Sequence, residues 1–132
     1  MRVIDKIAWI HLRNGQILCA RSKGQDTYFL PGGKRDPGES DADTLAREIA
    51  EELSVRIEKE TIHFFGVFEA RAHGKSEDIM VRMTCYTANY SGMHTPASEI
   101  EEIAWLNYKD LHKVSQASQL IFEQLFAMKW LD

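Results

Sequence analysis

Long apolar runs are missing from this 132-residue chain. Nothing in it approaches the roughly 18 residues of a membrane-spanning helix, so no membrane partner is expected. A surplus of basic charge is missing too: 16 Lys and Arg stand against 20 Asp and Glu, a net charge of −4. A general binder of nucleic acid polymers carries a basic face or stripe. None is visible, so no such polymer is expected, and a polyanionic ligand would need a few placed cations or a bound metal. Cysteine is scarce. Cys19 and Cys85 both sit in apolar, strand-like stretches, which reads as two buried, reduced thiols and not as a disulfide framework. The histidines His11, His63, His73, His94 and His112 are scattered without metal-ligand spacing, and no chemistry is assigned to them. The N-terminus "MRVIDKIAWI" has an acid at Asp5 and no small-residue cleavage site. It does not read as a signal peptide, and the cytoplasm is the expected compartment.

What is present is the balance of an ordinary globular protein, with 44% hydrophobic and 27% charged residues. The length fits one domain over residues 1–132, and no repeat, low-complexity tract or linker divides it. "VIDKIAWIHLRNG" reads as a strand ending at an Asn14-Gly15 turn, with "QILCARS" as its hairpin partner. "TYFL" is short and extended, since Pro31 biases Leu30 away from helix. "PGGKRDPG" reads as a loop. A helix is expected over about Asp41 to Leu53, with Ser40 as N-cap and Asp43 in a capping-box-like position. Two longer strands, "TIHFFGVFEARA" and "DIMVRMTCYTANY", are expected to join across "HGKSE", and "EEIAWLN" supplies one more. "SQASQLIFEQLFAMKWL" has helical spacing. Phe122, Phe126 and Trp130 widen its apolar face, which packs into the core or, alternatively, forms a homodimer contact. Mixed strands with two helices make this an α/β fold, a sheet flanked by helices.

On the first helix, Glu48, Glu51 and Glu52 stand at i, i+3 and i+4 and share one face. Leu45, Ile49 and Leu53 form a separate, core-facing stripe. Taken alone, E-x-x-E-E is a solvated acidic face, whose like-charge cost is only a few tenths of a kcal/mol. The preceding loop changes that reading. Gly32, Gly33 and Gly38 let backbone approach a ligand closely. Crowded carboxylates beside exposed carbonyls are what a hard divalent cation requires.

The stretch from Gly33 to Val55 resembles the Nudix hydrolase family, whose pattern is G-x5-E-x7-R-E-U-x-E-E-x-G-U with U aliphatic. Here Gly33, Glu39, Arg47, Glu48, Ile49, Glu51, Glu52 and Val55 match in place, and Ser54 stands where the family has glycine. The motif covers 23 residues; the "FLPGGK" lead-in and strand order extend the likeness more loosely. The resemblance implies a Nudix-type α/β/α sandwich with a mixed sheet. It implies water attack on phosphorus in a nucleoside diphosphate linked to another group, with Mg²⁺ or Mn²⁺. It implies Glu48, Glu51 and Glu52 as metal ligands, joined by the Gly32 carbonyl. Glu39 and Arg47 would lock the loop to the helix by a charge-assisted bond.

The general base stays open between a helix glutamate and Glu99, Glu101 or Glu102. Glu99 is preferred because it lies in a Pro/Ser loop before the "IAWL" strand. Arg21 and Lys34 are candidate phosphate contacts, and Tyr28 or Phe29 could stack on a base. A left-handed Ser54 costs roughly 1–2 kcal/mol, so Ser54→Gly is expected to raise the melting temperature. The marks of ADP-ribose and dinucleoside polyphosphate enzymes are absent past the motif, and "ILCARS" matches a coenzyme A pattern only in part. A small MutT-like enzyme acting on a nucleoside triphosphate, plain or oxidised, remains the expected reading. The alternatives are a nucleotide-sensing module without turnover, a nucleotide-sugar or dinucleotide pyrophosphatase, and an isomerase reusing the fold.

Overall fold

The computed structural model describes residues 2–72 and 78–132. In chain order, β1 (Arg2–Trp9), β2 (Leu12–Arg13), β3 (Gln16–Ser22), β4 (Tyr28–Phe29) and β5 (Gly32–Gly33) precede helix α1 (Asp41–Leu53). Then β6 (Arg56–Ile57), β7 (His63–Arg71), β8 (Ile79–Thr87), β9 (Tyr90–Ser91) and β10 (Ile100–Leu106) precede helix α2 (Gln116–Ala127). The strand connection expected across residues 73–77 lies outside the described residues.

The first strand is not one hairpin arm. Asn14 and Gly15 do hold the positive φ angles, 54° and 76°, that a tight hairpin turn requires. The hairpin, however, is only two pairs long, Leu12 with Ile17 and Arg13 with Gln16. Ahead of it the chain changes sheets at Ile10 and His11. β1 runs parallel to β8 over its whole length and antiparallel to β5. The result is a mixed sheet ordered β5-β1-β8-β7, facing a second sheet ordered β10-β3-β2 with β4 on β3. The stretch read as loop thus begins as β5, with Gly32 opposite Ala8 and Gly33 opposite Ile7. Sequence reading also missed the pair β6-β9, whose strands are two residues each and too short to show alternation.

Each helix closes one apolar layer. Leu45, Ile49 and Leu53 of α1 bury against Ile7, Trp9 and Leu18. Ile121, Phe122 and Leu125 of α2 bury against Ala8, Ile17, Cys19, Met83 and Cys85. Both cysteines are free and buried, and burial pushes their thiols well above the ordinary range.

The cap of α1 is as its residue types dictate: Ser40 Oγ accepts the Asp43 N–H at 3.1 Å. The Asp43 carboxylate is taken by Lys59 Nζ at 2.7 Å. At the other end Ser54 adopts φ 61°, left-handed, with its N–H on the Ala50 carbonyl. α2 stops four residues short of the expected Leu131. Lys129 turns left-handed at φ 64°, and Leu131 folds back into the core. Phe122 is fully buried, while Phe126 stacks on Tyr108 at 4.0 Å. Among the described residues no helix is long and apolar enough to cross a membrane.

Candidate active site

Helical spacing puts Glu48, Glu51 and Glu52 on one side of α1, but the sheet beneath divides them. Glu48 and Glu52 turn toward β5 and line a cavity of about 420 Å³ together with Gly32, Gly33, Lys34, Lys6 and Glu99. Glu51 stays on the rim, its side chain 52% exposed, with Arg47 Nη1 3.4 Å away. Glu52 is only 4% exposed and accepts the Gly32 N–H at 3.0 Å. Burial pushes its carboxyl up to about 8; Glu48 and Glu99 add to the rise, and the Gly32 N–H and Lys6 oppose it. Burial raises the Glu48 carboxyl as well, with Arg47 working against it.

The glycines make this approach possible. Gly32 sits at φ 150° against β1, and a side chain there would run into the Ile7 carbonyl. A side chain on Gly33 would occupy the space of the Glu48 carboxylate. Both positions need absence of volume more than flexibility.

Glu39 and Arg47 form the expected lock. Arg47 Nε donates to Glu39 Oε2 at 2.7 Å and Nη2 to Oε1 at 2.9 Å, a fork-to-carboxylate pairing. Nη2 also donates to the Lys34 carbonyl at 2.9 Å, which ties the glycine segment to the helix. Glu39 Oε1 further accepts the Asp36 N–H and the Thr44 hydroxyl. With Arg47 as the chief cause, the Glu39 carboxyl is held down at about 2.

The later glutamates separate by position. The loop after β9 hydrogen-bonds to the end of α1, Thr95 N–H to Leu53 O at 2.8 Å and Ala97 N–H to Glu52 O at 3.0 Å. That carries Glu99 into the same cavity as Glu48 and Glu52. Glu101 and Glu102 remain exposed outside it. Glu102 accepts from Arg21 Nη2 at 3.1 Å and from the Tyr28 hydroxyl.

That pairing bears on two expectations. Arg21 does not reach into the cavity: Glu102 and the Gln25 carbonyl hold its guanidinium. Tyr28 is likewise turned to Glu102, and Phe29 is the aromatic that lines the cavity. Lys34 stands at the rim, exposed. Sequence reading missed Lys6 and the apolar wall of Val81 and Met83. The signal for Lys6 was weak: it falls on the same strand face as Ile4 and Ala8, but β1 shows no clean alternation.

The donor set is all oxygen and suits a hard divalent cation such as Mg²⁺ or Mn²⁺. Among the described residues, no three His, Cys, Asp or Glu side chains converge tightly enough to enclose an ion on their own. Yet Glu48, Glu52 and Glu99 face one space, and the two on α1 carry carboxyls that burial has made reluctant to ionise. A cation there would reverse that penalty.

The NUDIX domain model matches residues 4–125. The RNA pyrophosphohydrolase of Tolumonas auensis is 40% identical over 50 residues, 38% of this chain and 29% of that protein. The chain thus matches less than a third of that relative's length. Two solved structures align over nearly the whole chain. The E. coli ORF135 protein has a TM-score of 0.76 at 23% identity, over 98% of this chain and 92% of that one. The MutT NUDIX hydrolase from Burkholderia pseudomallei has 0.75 at 23% identity, over 95% and 99%. At such identity these two show a shared fold, the mixed-sheet α/β arrangement described above.

Proposed function

The chain belongs to the NUDIX family, and from that premise we propose that it is a hydrolase of phosphoanhydride bonds, a metal-dependent pyrophosphohydrolase of a nucleoside triphosphate. The observation that carries the reading is the meeting of Glu48, Glu52 and Glu99 in one cavity beside the glycine strand. In this reading Glu48 and Glu52 hold Mg²⁺ or Mn²⁺, with Glu51 reached from the rim and the Gly32 carbonyl as a further ligand. The ion, when bound, neutralises phosphate charge and lowers the proton affinity of a water. Glu39 and Arg47 fix the angle between glycine strand and helix, and so the aim of the carboxylates. Glu99 accepts the proton of the attacking water; the water oxygen bonds to phosphorus, and the anhydride oxygen leaves with the bond's electron pair. Lys34 meets the outer phosphates at the rim.

A second reading is suggested by the Tolumonas relative, named an RNA pyrophosphohydrolase: the substrate would be a 5′-triphosphorylated RNA end. The net charge of −4 gives such a chain little to hold a polymer with. The test is a panel of nucleoside triphosphates, oxidised nucleotides, sugar nucleotides, dinucleoside polyphosphates and 5′-triphosphorylated RNA, with Mg²⁺ or Mn²⁺, reading phosphate and pyrophosphate release. Turnover of mononucleotides that collapses in Glu52→Gln is expected. Tight binding without turnover would replace the reading by a sensor, and turnover unaffected by Glu52→Gln would remove the metal role.

A further inference from the structure

A glutamate that takes a proton from an attacking water must be aimed, since a misplacement of about 1 Å can lower a rate roughly 100-fold. On its N-terminal side Glu99 is tied by main chain, through the Thr95 and Ala97 N–H groups on carbonyls at the end of α1. Ser98 then turns left-handed at φ 58°, a conformation a serine keeps only where its surroundings impose it. On the other side the chain meets β3, and the Glu99 carbonyl accepts the Lys23 N–H at 2.8 Å. The ladder next breaks register. Ile100 stands opposite Ser22 and Glu102 opposite Arg21, so Glu101 is an extra residue and β10 begins with a bulge. A bulge bends its strand and re-aims the side chains beside it. Moving the extra residue one place along the strand would turn a neighbouring side chain to the other face.

The residue that closes the bulge is pinned from two strands. Glu102 Oε1 accepts Arg21 Nε at 3.3 Å, Arg21 Nη2 at 3.1 Å and the Tyr28 hydroxyl. Tyr28 on β4, Arg21 on β3 and Glu102 on β10 stand side by side across the sheet. The other arm of Arg21, Nη1, donates to the Gln25 carbonyl at 2.9 Å and so holds the turn that carries Lys23. One guanidinium thus grips both sides of the place where the Glu99 carbonyl is bound. The Glu102 side chain is 50% exposed, and exposed ion pairs contribute little to global stability. What the knot fixes is register. It forms with Glu102 opposite Arg21, and in that register Glu99 lines the cavity together with Glu48 and Glu52.

We propose that Glu102 is a positioning residue of this site: pinned by Arg21 and Tyr28, it fixes the bulge in β10 and with it the aim of Glu99. The assignment deepens the function proposed above and rests on Glu99 as the proton acceptor there. Glu102→Ala, Glu102→Gln, Glu99→Gln and the double variant Glu99→Gln with Glu102→Ala are compared with the native protein. The measurements are steady-state hydrolysis of a nucleoside triphosphate with Mg²⁺, thermal melting, and amide hydrogen exchange read by NMR. Glu102→Ala should lose roughly 10-fold in kcat, part of the roughly 100- to 10,000-fold that a positioned base supplies, with KM within about threefold of native. In the Glu99→Gln background the same change should lower kcat no further, because its effect runs through Glu99. Glu102→Gln keeps an acceptor oxygen for both partners and should recover most of the rate. Exchange at the Lys23 amide should quicken about 10-fold or more in Glu102→Ala, while exchange at Thr95 and Ala97 holds. The melting temperature should fall by less than about 4 °C. Losses that multiply in the double variant, a change confined to KM, or unchanged Lys23 exchange in Glu102→Ala each overturn the assignment while leaving the hydrolase intact. A larger drop in melting temperature also overturns it, making the knot a support of the whole fold. If Glu99→Gln keeps the native kcat, or if the native protein turns over no nucleotide, the proton-acceptor reading fails. Faster Lys23 exchange in Glu102→Ala then still upholds the pinning of Glu99, and unchanged exchange removes it.

Discussion

Replacing Glu52 by Gln should stabilise the metal-free protein, by an amount that grows with pH. In the fold the Glu52 carboxyl titrates at about 8, against an ordinary 4.5, because it is buried with Glu48 and Glu99 nearby. Below pH 4.5 the group is protonated in both folded and unfolded chains and costs nothing. Between 4.5 and 8 the unfolded chain releases the proton while the folded one keeps it, so stability falls as pH rises. At about 1.4 kcal/mol per tenfold change in proton affinity, the ceiling is about 5 kcal/mol above pH 8. Relaxation and water entry reduce such penalties, and roughly 2–3 kcal/mol is the expected effect. Gln keeps an acceptor for the Gly32 N–H and carries no charge to desolvate. The assay is urea unfolding in a chelator, followed by fluorescence of the buried Trp9 and its neighbours, from pH 5 to 8.5. Native and Glu52→Gln should nearly coincide at pH 5 and diverge by pH 8 with the variant more stable. Saturating Mg²⁺ at about 100 times its Kd should then return about 2.7 kcal/mol to the native protein and little to the variant. A difference independent of pH, or a less stable variant at pH 8, would refute the reasoning.

Other perturbations probe the rest of the site. Arg47→Lys loses the fork on Glu39, so the Mg²⁺ needed for half activity should rise by roughly 10-fold or more; a titration of activity against Mg²⁺ checks it. The same pair gives an acid limb. Its contribution is complete above about pH 4.5 and disappears as pH falls through about 2, so the acid midpoint should move upward in Glu39→Gln. Gly33→Ala should displace the Glu48 carboxylate and abolish activity with only a small change in melting temperature. Gly32→Ala meets backbone and should cost roughly 3 kcal/mol or more; equal stability of the two variants in thermal melts would contradict this. Ser54→Gly relieves a left-handed serine but gives up a 3.3 Å hydroxyl bond to the Thr95 carbonyl and frees the unfolded chain. The gains and losses nearly cancel, and the melting temperature should shift by less than about 4 °C, in place of the clear rise expected from strain alone.

The helix and its lock were legible because their signals are local. Spacing along α1, the Ser40 cap and the Glu39–Arg47 separation all lie within one turn-and-helix unit. The division of the three glutamates was not legible: helical periodicity puts Glu51 beside Glu48 and Glu52, and only the sheet below decides which carboxylates are covered. Arg21 was misjudged for the same reason. Its partner Glu102 is 81 residues away and becomes a neighbour only because β3 pairs with β10. Asn14-Gly15 announced a hairpin correctly, yet no local feature marks Ile10 and His11 as the place where the strand leaves one sheet for the other.

The bonds between the loop and the end of α1 bear on how such a site can change over time. Thr95 and Ala97 each give a backbone N–H to the helix, and the residue between them is Pro96, which has none to give. Proline stiffens the segment at the one of these three positions where a donor is not used. The spacing from Glu52 to Glu99 is thereby written in main chain, independent of which side chains the loop displays. Substitutions at positions 95 and 97 that keep the N–H leave this main-chain spacing in place, so the loop's side chains can drift while Glu52 and Glu99 go on facing the same cavity.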